Sequence, residues 1–176
     1  MLRGTTIIAI KKGDSVAIAG DGQITMGDKT IMKNTAKKVR KIYNDEVIIG
    51  FAGSVADALT LAEILEEKLD QHDGNLERAA IELARRWRSD KVLRQLEAML
   101  IAGNKETLLV ISGNGEVIKP EENIAAIGSG GNYALAAGKA LSKYSNLQVN
   151  DIVKEALLIA SSICVYTNDN ISVEVL

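Results

Sequence analysis

Cysteine, histidine, proline, tryptophan and phenylalanine each occur once in these 176 residues, and aromatic residues make up 3% of the chain. A lone Cys164 cannot close an internal disulfide, which suits a reducing compartment, and one Cys with one His cannot furnish a tetrahedral zinc set without carboxylates. A thiol-rich metal module is therefore excluded. His72 sits between Gln71 and Asp73 just before Gly74, the setting of an exposed residue at a helix end, and that argues against a Ser-His-Asp triad. The charge balance of 21 Lys plus Arg against 23 Asp plus Glu, net -2, leaves no polybasic footprint for nucleic acid or anionic lipid. No apolar run approaches the length of a membrane span, and Met1 to Gly4 is too short for a signal peptide, so a cytoplasmic location is expected. With 47% hydrophobic and 25% charged residues, the chain is globular, and its length fits one domain burying roughly 70% of the surface exposed when unfolded.

What is present divides by period. Thr5 to Ile10, Val16 to Ala19 and Val47 to Phe51 are β-branched and apolar, punctuated by Gly13-Asp14, Gly20-Asp21-Gly22 and Gly53. Thr5 to Ser54 reads as an antiparallel meander. Val55, Ala58, Leu59, Ala62, Leu65 and Leu69 then recur at helical spacing, predicting a helix from Ser54 to about Asp70. A second stripe, Leu76, Ala79, Ala80, Leu83 and Trp87, follows an Asn75 N-cap and extends in pattern through Leu93, Leu96 and Leu100. Strands return at Thr107 to Ile111 and Asn123 to Ile127, with Gly113-Asn114-Gly115 turning the first of these into Val117-Ile118. Gly128 to Gly131 opens a helix through Leu141. Asp151 is expected to cap another, striped by Ile152, Val153, Ala156, Leu157, Ala160 and Cys164, before a final strand from Ile171 to Leu176. Strands, two helices, strands, two helices and a strand suit face-to-face sheets with helix pairs outside them.

The candidate chemistry narrows by elimination. Gly128-Ser129-Gly130-Gly131 lies where amides at a helix start can hold phosphate, but neither GxGxxG with a later acid nor GxxxxGK[ST] is present, so a tight turn is the stronger reading. Apart from one lysine, the run Lys37 to Lys41 reads as a solvated face. With histidine and cysteine almost absent, a hydrolase of this size must find its base elsewhere. A threonine made N-terminal carries nucleophile and base on one residue, because a free α-amine titrates near 7.7 to 8.0. Thr5-Thr6, preceded by the small Gly4, offers that arrangement, although any strand can begin Thr-Thr.

Several blocks occur together and in order: Thr5-Thr6-Ile7, Ala19-Gly20-Asp21-Gly22-Gln23, Lys37 to Lys41, Gly50-Phe51-Ala52-Gly53-Ser54-Val55-Ala56-Asp57, Trp87-Arg88-Ser89-Asp90, Leu96-Glu97-Ala98, Ala126 to Gly131, and Cys164-Val165-Tyr166-Thr167-Asn168. Jointly they resemble proteasome-type β subunits and, more narrowly, the HslV (ClpQ) family of bacterial proteasome-like peptidases, across Thr5 to Leu176.

That resemblance implies an α+β fold, the four-layer αββα sandwich of N-terminal-nucleophile hydrolases, in one peptidase domain over residues 5-176. It makes Thr5 the catalytic N-terminus once the leader, residues 1-4, is removed. Lys38 is implied to lower the pKa of the Thr5 amine, and Asp21 to hold Lys38 charged and oriented. The Gly53 N–H would form the oxyanion hole, Ser129 would help position the amine, and Phe51 and Val55 would line an apolar specificity pocket. A structural sodium ion is implied on main-chain oxygens of Ser161, Cys164 and Thr167, at a helix C-terminus where carbonyls lack intrahelical partners. The implied assembly is a double-ring dodecamer. Its implied partner is a hexameric HslU-type (ClpX-family) AAA+ ATPase that delivers unfolded or regulatory proteins and switches the peptidase on, this chain binding no nucleotide. Shorter relatives carry only an initiator Met before Thr-Thr, so here cleavage must fall at Gly4-Thr5. Two other readings stay open: an N-terminal-nucleophile amidase acting on small amides, and a noncatalytic ring subunit of the same fold.

Overall fold

Two sheets meet face to face because the strands that build them are apolar on both sides. The structure, a computed structural model, describes residues 2, 3, 5-27, 29-96 and 98-176, with Leu2 and Arg3 as main chain alone. Met1, Gly4 of the expected scissile bond, Asp28 and Glu97 lie outside the described residues. Strands β1 (Leu2–Arg3), β2 (Thr6–Lys12), β3 (Ser15–Asp21), β4 (Ile24–Met26), β5 (Thr30–Lys33), β6 (Val39–Ile42) and β7 (Val47–Gly53) come first. Helices α1 (Val55–Gln71) and α2 (Leu76–Ser89) follow, then β8 (Ala98–Gly103), β9 (Leu108–Ser112), β10 (Val117–Ile118), β11 (Ile124–Gly128), α3 (Gly131–Tyr144), α4 (Val149–Ser161) and β12 (Ile171–Val175).

One sheet has the order β10-β9-β8-β7-β6, the other β11-β2-β3-β12, and a three-stranded sheet has the order β1-β4-β5. Successive residues of a strand point to opposite faces, and the core divides accordingly. In β2, Ile7 and Ala9 join Ile18, Ile48, Ile101 and Val110 between the sheets, while Ile8 and Ile10 pack with Ile152, Val153, Ala156 and Leu157 under α3 and α4. On the far side Val47, Ile49 and Phe51 of β7 meet Leu61, Leu65, Leu83 and Trp87 of α1 and α2. Helix pair, sheet, sheet and helix pair form the expected αββα stack.

Several expectations are corrected. Thr5 to Ser54 is not one meander: β2 and β3 belong to one sheet, β6 and β7 to the other, and β4 and β5 to the third. Strands buried on both faces carry no alternation that says which sheet they join. Helix α2 stops at Ser89 because Asp90 Oδ1 accepts from the amides of Val92 and Leu93, at 2.8 and 3.0 Å, turning the chain into a short 3₁₀ segment. Leu100, placed in that stripe, lies instead in β8. The N-cap position of α4 is Gln148, which makes no side-chain capping hydrogen bond, and not Asp151; Asp151 stands in the first turn, where a negative charge complements the dipole. His72 is not exposed but partly buried at the α1 C-cap, its Nε2 2.9 Å from Glu82 Oε1 of α2. This contact is the main cause holding the Glu82 carboxyl below its ordinary pKa. Asn75 does cap α2, accepting from the Arg78 amide at 3.0 Å, and the Gly113 to Gly115 turn does join β9 to β10.

Candidate active site

The start of β2 is held from two sides. The Thr5 carbonyl accepts from the Ser129 amide at 2.9 Å, and the Thr6 amide donates to Asp21 Oδ1 at 2.8 Å. Thr6 Oγ1 accepts from the Gly130 amide at 2.9 Å and shares a 2.7 Å hydrogen bond with Thr167 Oγ1. Thr5 is 7% exposed and Thr6 fully buried. Gly128, which ends β11, has φ +92°, and a Cβ there would stand 1.8 Å from the Thr5 carbonyl oxygen. The obstacle is backbone, so no rotamer relieves it, and the left-handed φ adds strain. Gly128→Ala is expected to displace Thr5 and to lower peptide hydrolysis at least about 100-fold. Steady-state kinetics on an assembled variant at wild-type level would contradict this.

Beneath that strand end lies a buried ion pair. Asp21, the last residue of β3, is 0% exposed, and Lys38, just before β6, is 2% exposed, with Nζ 3.0 Å from Asp21 Oδ1. Every acceptor site of the carboxylate that faces the site is used: Oδ1 takes Thr6 N and Lys38 Nζ, and Oδ2 takes Gln23 N at 3.0 Å and Asn168 N at 3.3 Å. Lys38 Nζ also donates to the Gln23 carbonyl at 2.5 Å. Burial pulls the Lys38 pKa below its ordinary value, while the charge of Asp21 and its hydrogen bond work the other way. Lys37 is exposed. A Cβ on Gly20 would lie 3.5 Å from Lys38 Cβ and 2.7 Å from Ile7 Cδ1, so Lys38 enters the space between the sheets beside Ile7. Alternation along β2 puts Thr5 on that same face.

The other expected residues are distributed as follows. Gly53 ends β7 exposed, opposite Ala98 of β8, with φ +125°, a conformation that side-chain-bearing residues rarely adopt. Ser129 is exposed in the turn between β11 and α3, and its amide secures Thr5. Val55 is half-exposed at the start of α1, but Phe51 is 2% exposed within the core under α1 and α2, with the Arg40 guanidinium 5.9 Å from its ring centroid. Phe51 therefore does not line a substrate pocket. Ser161, Cys164 and Thr167 follow one another around the end of α4, where Thr167 N donates to the Cys164 carbonyl at 3.1 Å.

Sequence reasoning gave no chemistry to Gln23, Thr6 or Asn168. Gln23 and Asn168 stood inside the blocks that carried the resemblance, which was the available signal. Asn168 Oδ1 accepts from Gly22 N at 3.0 Å and its Nδ2 donates to the Asn34 carbonyl at 2.9 Å, tying the β12 approach to the end of β3.

A threonine at a strand start, a buried lysine–carboxylate pair beneath it and a glycine-rich turn over its carbonyl, set in an αββα sandwich, define a class. A family model described as proteasome subunit matches residues 1-176, and the chain belongs to that family. Within it, the chain is 64% identical over 176 residues, all of both chains, to a protein of Thermoanaerobacter pseudethanolicus named ATP-dependent protease subunit HslV. A Listeria innocua protein of the same name is 60% identical over 175 residues, 98% of each chain. The crystal structure of eukaryotic HslV from Trypanosoma brucei superposes with a TM-score of 0.92 at 47% identity, covering 97% of this chain and 98% of that one. Thiobacillus denitrificans BPH, solved in complex with epoxomicin, shares the fold at a TM-score of 0.72 and 16% identity.

Proposed function

We propose that this chain is the proteolytic subunit of an ATP-dependent protease and that Thr5, freed of residues 1-4, is its nucleophile. The observation that carries the residue assignment is the buried Lys38–Asp21 pair set under the start of β2. A noncatalytic ring subunit would not need a buried cation at that place, where desolvation opposes it.

The neutral Thr5 amine takes the proton of the Thr5 hydroxyl as Oγ1 attacks a peptide carbonyl carbon, and the Gly53 N–H receives the negative charge on the carbonyl oxygen. The tetrahedral species collapses, the protonated amine gives its proton to the leaving nitrogen, and an ester to Thr5 remains. Water, deprotonated by the same amine, then cleaves that ester and restores the hydroxyl. The Lys38 ammonium favours the neutral, basic amine electrostatically, and Asp21 keeps the ammonium in place. Activity that needs this ammonium is expected to decline on the alkaline side below the ordinary lysine pKa of 10.5, because burial lowers the Lys38 value. For the same group the folded state releases its proton before the unfolded state does. Its contribution to stability therefore rises with pH from the folded pKa to 10.5. A pH profile of kcat/KM with no alkaline decline below 10.5 would contradict the assignment.

While residues 1-4 remain attached, the Thr5 nitrogen is an amide and cannot serve as the base. Leu2 and Arg3 form β1, paired antiparallel with Met26 and Thr25 of β4. We assign the cleavage to attack of Thr5 Oγ1 on the Gly4 carbonyl carbon, giving an ester that water opens to release the leader and the free amine. Intact masses of wild type and Thr5→Ala test this: loss of residues 1-4 in wild type alone supports self-cleavage, and loss in both shows trimming by another peptidase.

The end of α4 suits a sodium ion. Its donors would be the carbonyls of Ser161, Cys164 and Thr167, hard neutral oxygens at the negative end of a helix dipole. The ion would stiffen the turn that carries Thr167 and Asn168 and takes no part in bond making. The partner is a hexameric HslU-type ATPase, the assembly is a double-ring dodecamer, and the location is the cytoplasm. An ATPase partner is supported by the relatives' name, ATP-dependent protease subunit, and the rest by the family resemblance of the sequence blocks. Among the described residues no helix is long and apolar enough to cross a membrane. Unfolded protein substrates, delivered by that ATPase, fit a chain with no nucleotide fingerprint of its own.

A further inference from the structure

We infer that Gln23 is a positioning residue for the catalytic lysine, fastening the Lys38–Asp21 pair to the segment between α4 and β12; the inference rests on the threonine-peptidase reading above. Gln23 lies in the short segment between β3 and β4, outside any strand ladder. Its main chain contributes twice to the pair. The carbonyl accepts from Lys38 Nζ at 2.5 Å, and the amide donates to Asp21 Oδ2 at 3.0 Å.

A peptide unit outside a ladder keeps its orientation through its side chain or its neighbours, and here the side chain is anchored at its far end. Gln23 is 4% exposed, and its Nε2 donates to the Val165 carbonyl at 2.9 Å and to Thr25 Oγ1 at 3.2 Å. The carbonyl of Val165 can only accept, so the group facing it must be an N–H donor, which fixes the orientation of the amide. A carboxylate at this position would place acceptor against acceptor and a second negative charge near Asp21. A lysine or arginine would crowd a second cation against Lys38. Glutamine is thus the neutral donor that spans the gap.

The consequence concerns the lysine. Its ammonium is already disfavoured by burial, and loss of a well-aimed carbonyl would disfavour it further. A less populated or displaced ammonium would also leave the Thr5 amine more readily protonated. The two limbs of the pH–rate profile therefore move toward each other when Gln23 is loosened: the acidic limb rises and the alkaline limb falls.

The test uses the assembled peptidase with its ATPase and a fluorogenic peptide, comparing wild type, Gln23→Met and Thr25→Val, each freed of residues 1-4, with Thr5→Ala, which is expected to keep them. Gln23→Met keeps length and volume and removes both side-chain hydrogen bonds. It is expected to lower kcat about 10- to 100-fold, the scale of a misplacement of about 1 Å, with KM changed less than about twofold and a narrowed pH profile. Thr25→Val removes one of the two anchors and is expected to narrow the profile less, which keeps the test available if Gln23→Met does not assemble. Wild-type pH limbs in the assembled variants would overturn the positioning role while leaving the nucleophile assignment intact. Undiminished turnover in Thr5→Ala would overturn both.

Discussion

Replacing Thr5 with alanine is expected to reduce peptide hydrolysis on the order of 10⁴-fold or more, since removal of a nucleophile leaves the acceleration due to substrate binding and the oxyanion site alone. The fold is expected to survive. The hydrogen bond from Ser129 reaches the Thr5 main-chain carbonyl, and Thr6 supplies the side chain that ties β2 to Gly130 and Thr167. Melting temperature and particle size near wild type, with turnover lost, are the expected readout. Thr5→Ser, which restores a hydroxyl beside the amine, is expected to recover part of the rate. Loss of assembly in Thr5→Ala, or turnover at wild-type level, would contradict this.

The second large effect is at Asp21. Asp21→Ala strips a fully buried site of the acceptor for Thr6 N, Gln23 N, Asn168 N and Lys38 Nζ at once. Breaking a buried ion pair by removing one member costs about 3–5 kcal/mol, because the remaining charge is left uncompensated. Activity is expected to disappear and the melting temperature to fall on the order of 10 °C for a domain of this size. Lys38→Ala is expected to lose most activity, whereas the neighbouring Lys37→Ala, on an exposed side chain, keeps it. Comparable losses from the two lysines would contradict the placement of Lys38 alone in the site.

The layers of the fold were legible because the apolar stripes of α1, α2 and α4 and the strand blocks around Gly13, Gly53 and Gly113 follow simple periods. Sheet membership was not. Ile7 and Ile8 are both fully buried, one between the sheets and one under the helices, and nothing local distinguishes those two interiors. The end of α2 was obscured because Leu93 and Leu100 continue the apolar spacing, one in a 3₁₀ turn and one in a strand, and both point inward. At the site, Thr5, Lys38 and Asp21 emerged from the match of whole blocks, not from any rule of spacing. Phe51 was misplaced because a residue two positions from Gly53, the expected oxyanion donor, shares its row along the strand but not its exposure. Gln23 and Asn168 went unassigned because their work is done by main-chain atoms and amide groups, several of whose partners lie 15 to 147 residues away, a distance that sequence patterns do not encode.

The central claim is that the nucleophile is the hydroxyl of a threonine whose own amine has been set free. It is tested most directly by treating the active protein with an electrophilic peptide, such as a peptide vinyl sulfone, and locating the adduct by tandem mass spectrometry. The account predicts one adduct per chain, on Oγ1 of Thr5, in a peptide that begins at Thr5. An adduct on another residue, or on a Thr5 still joined to Gly4, would contradict it.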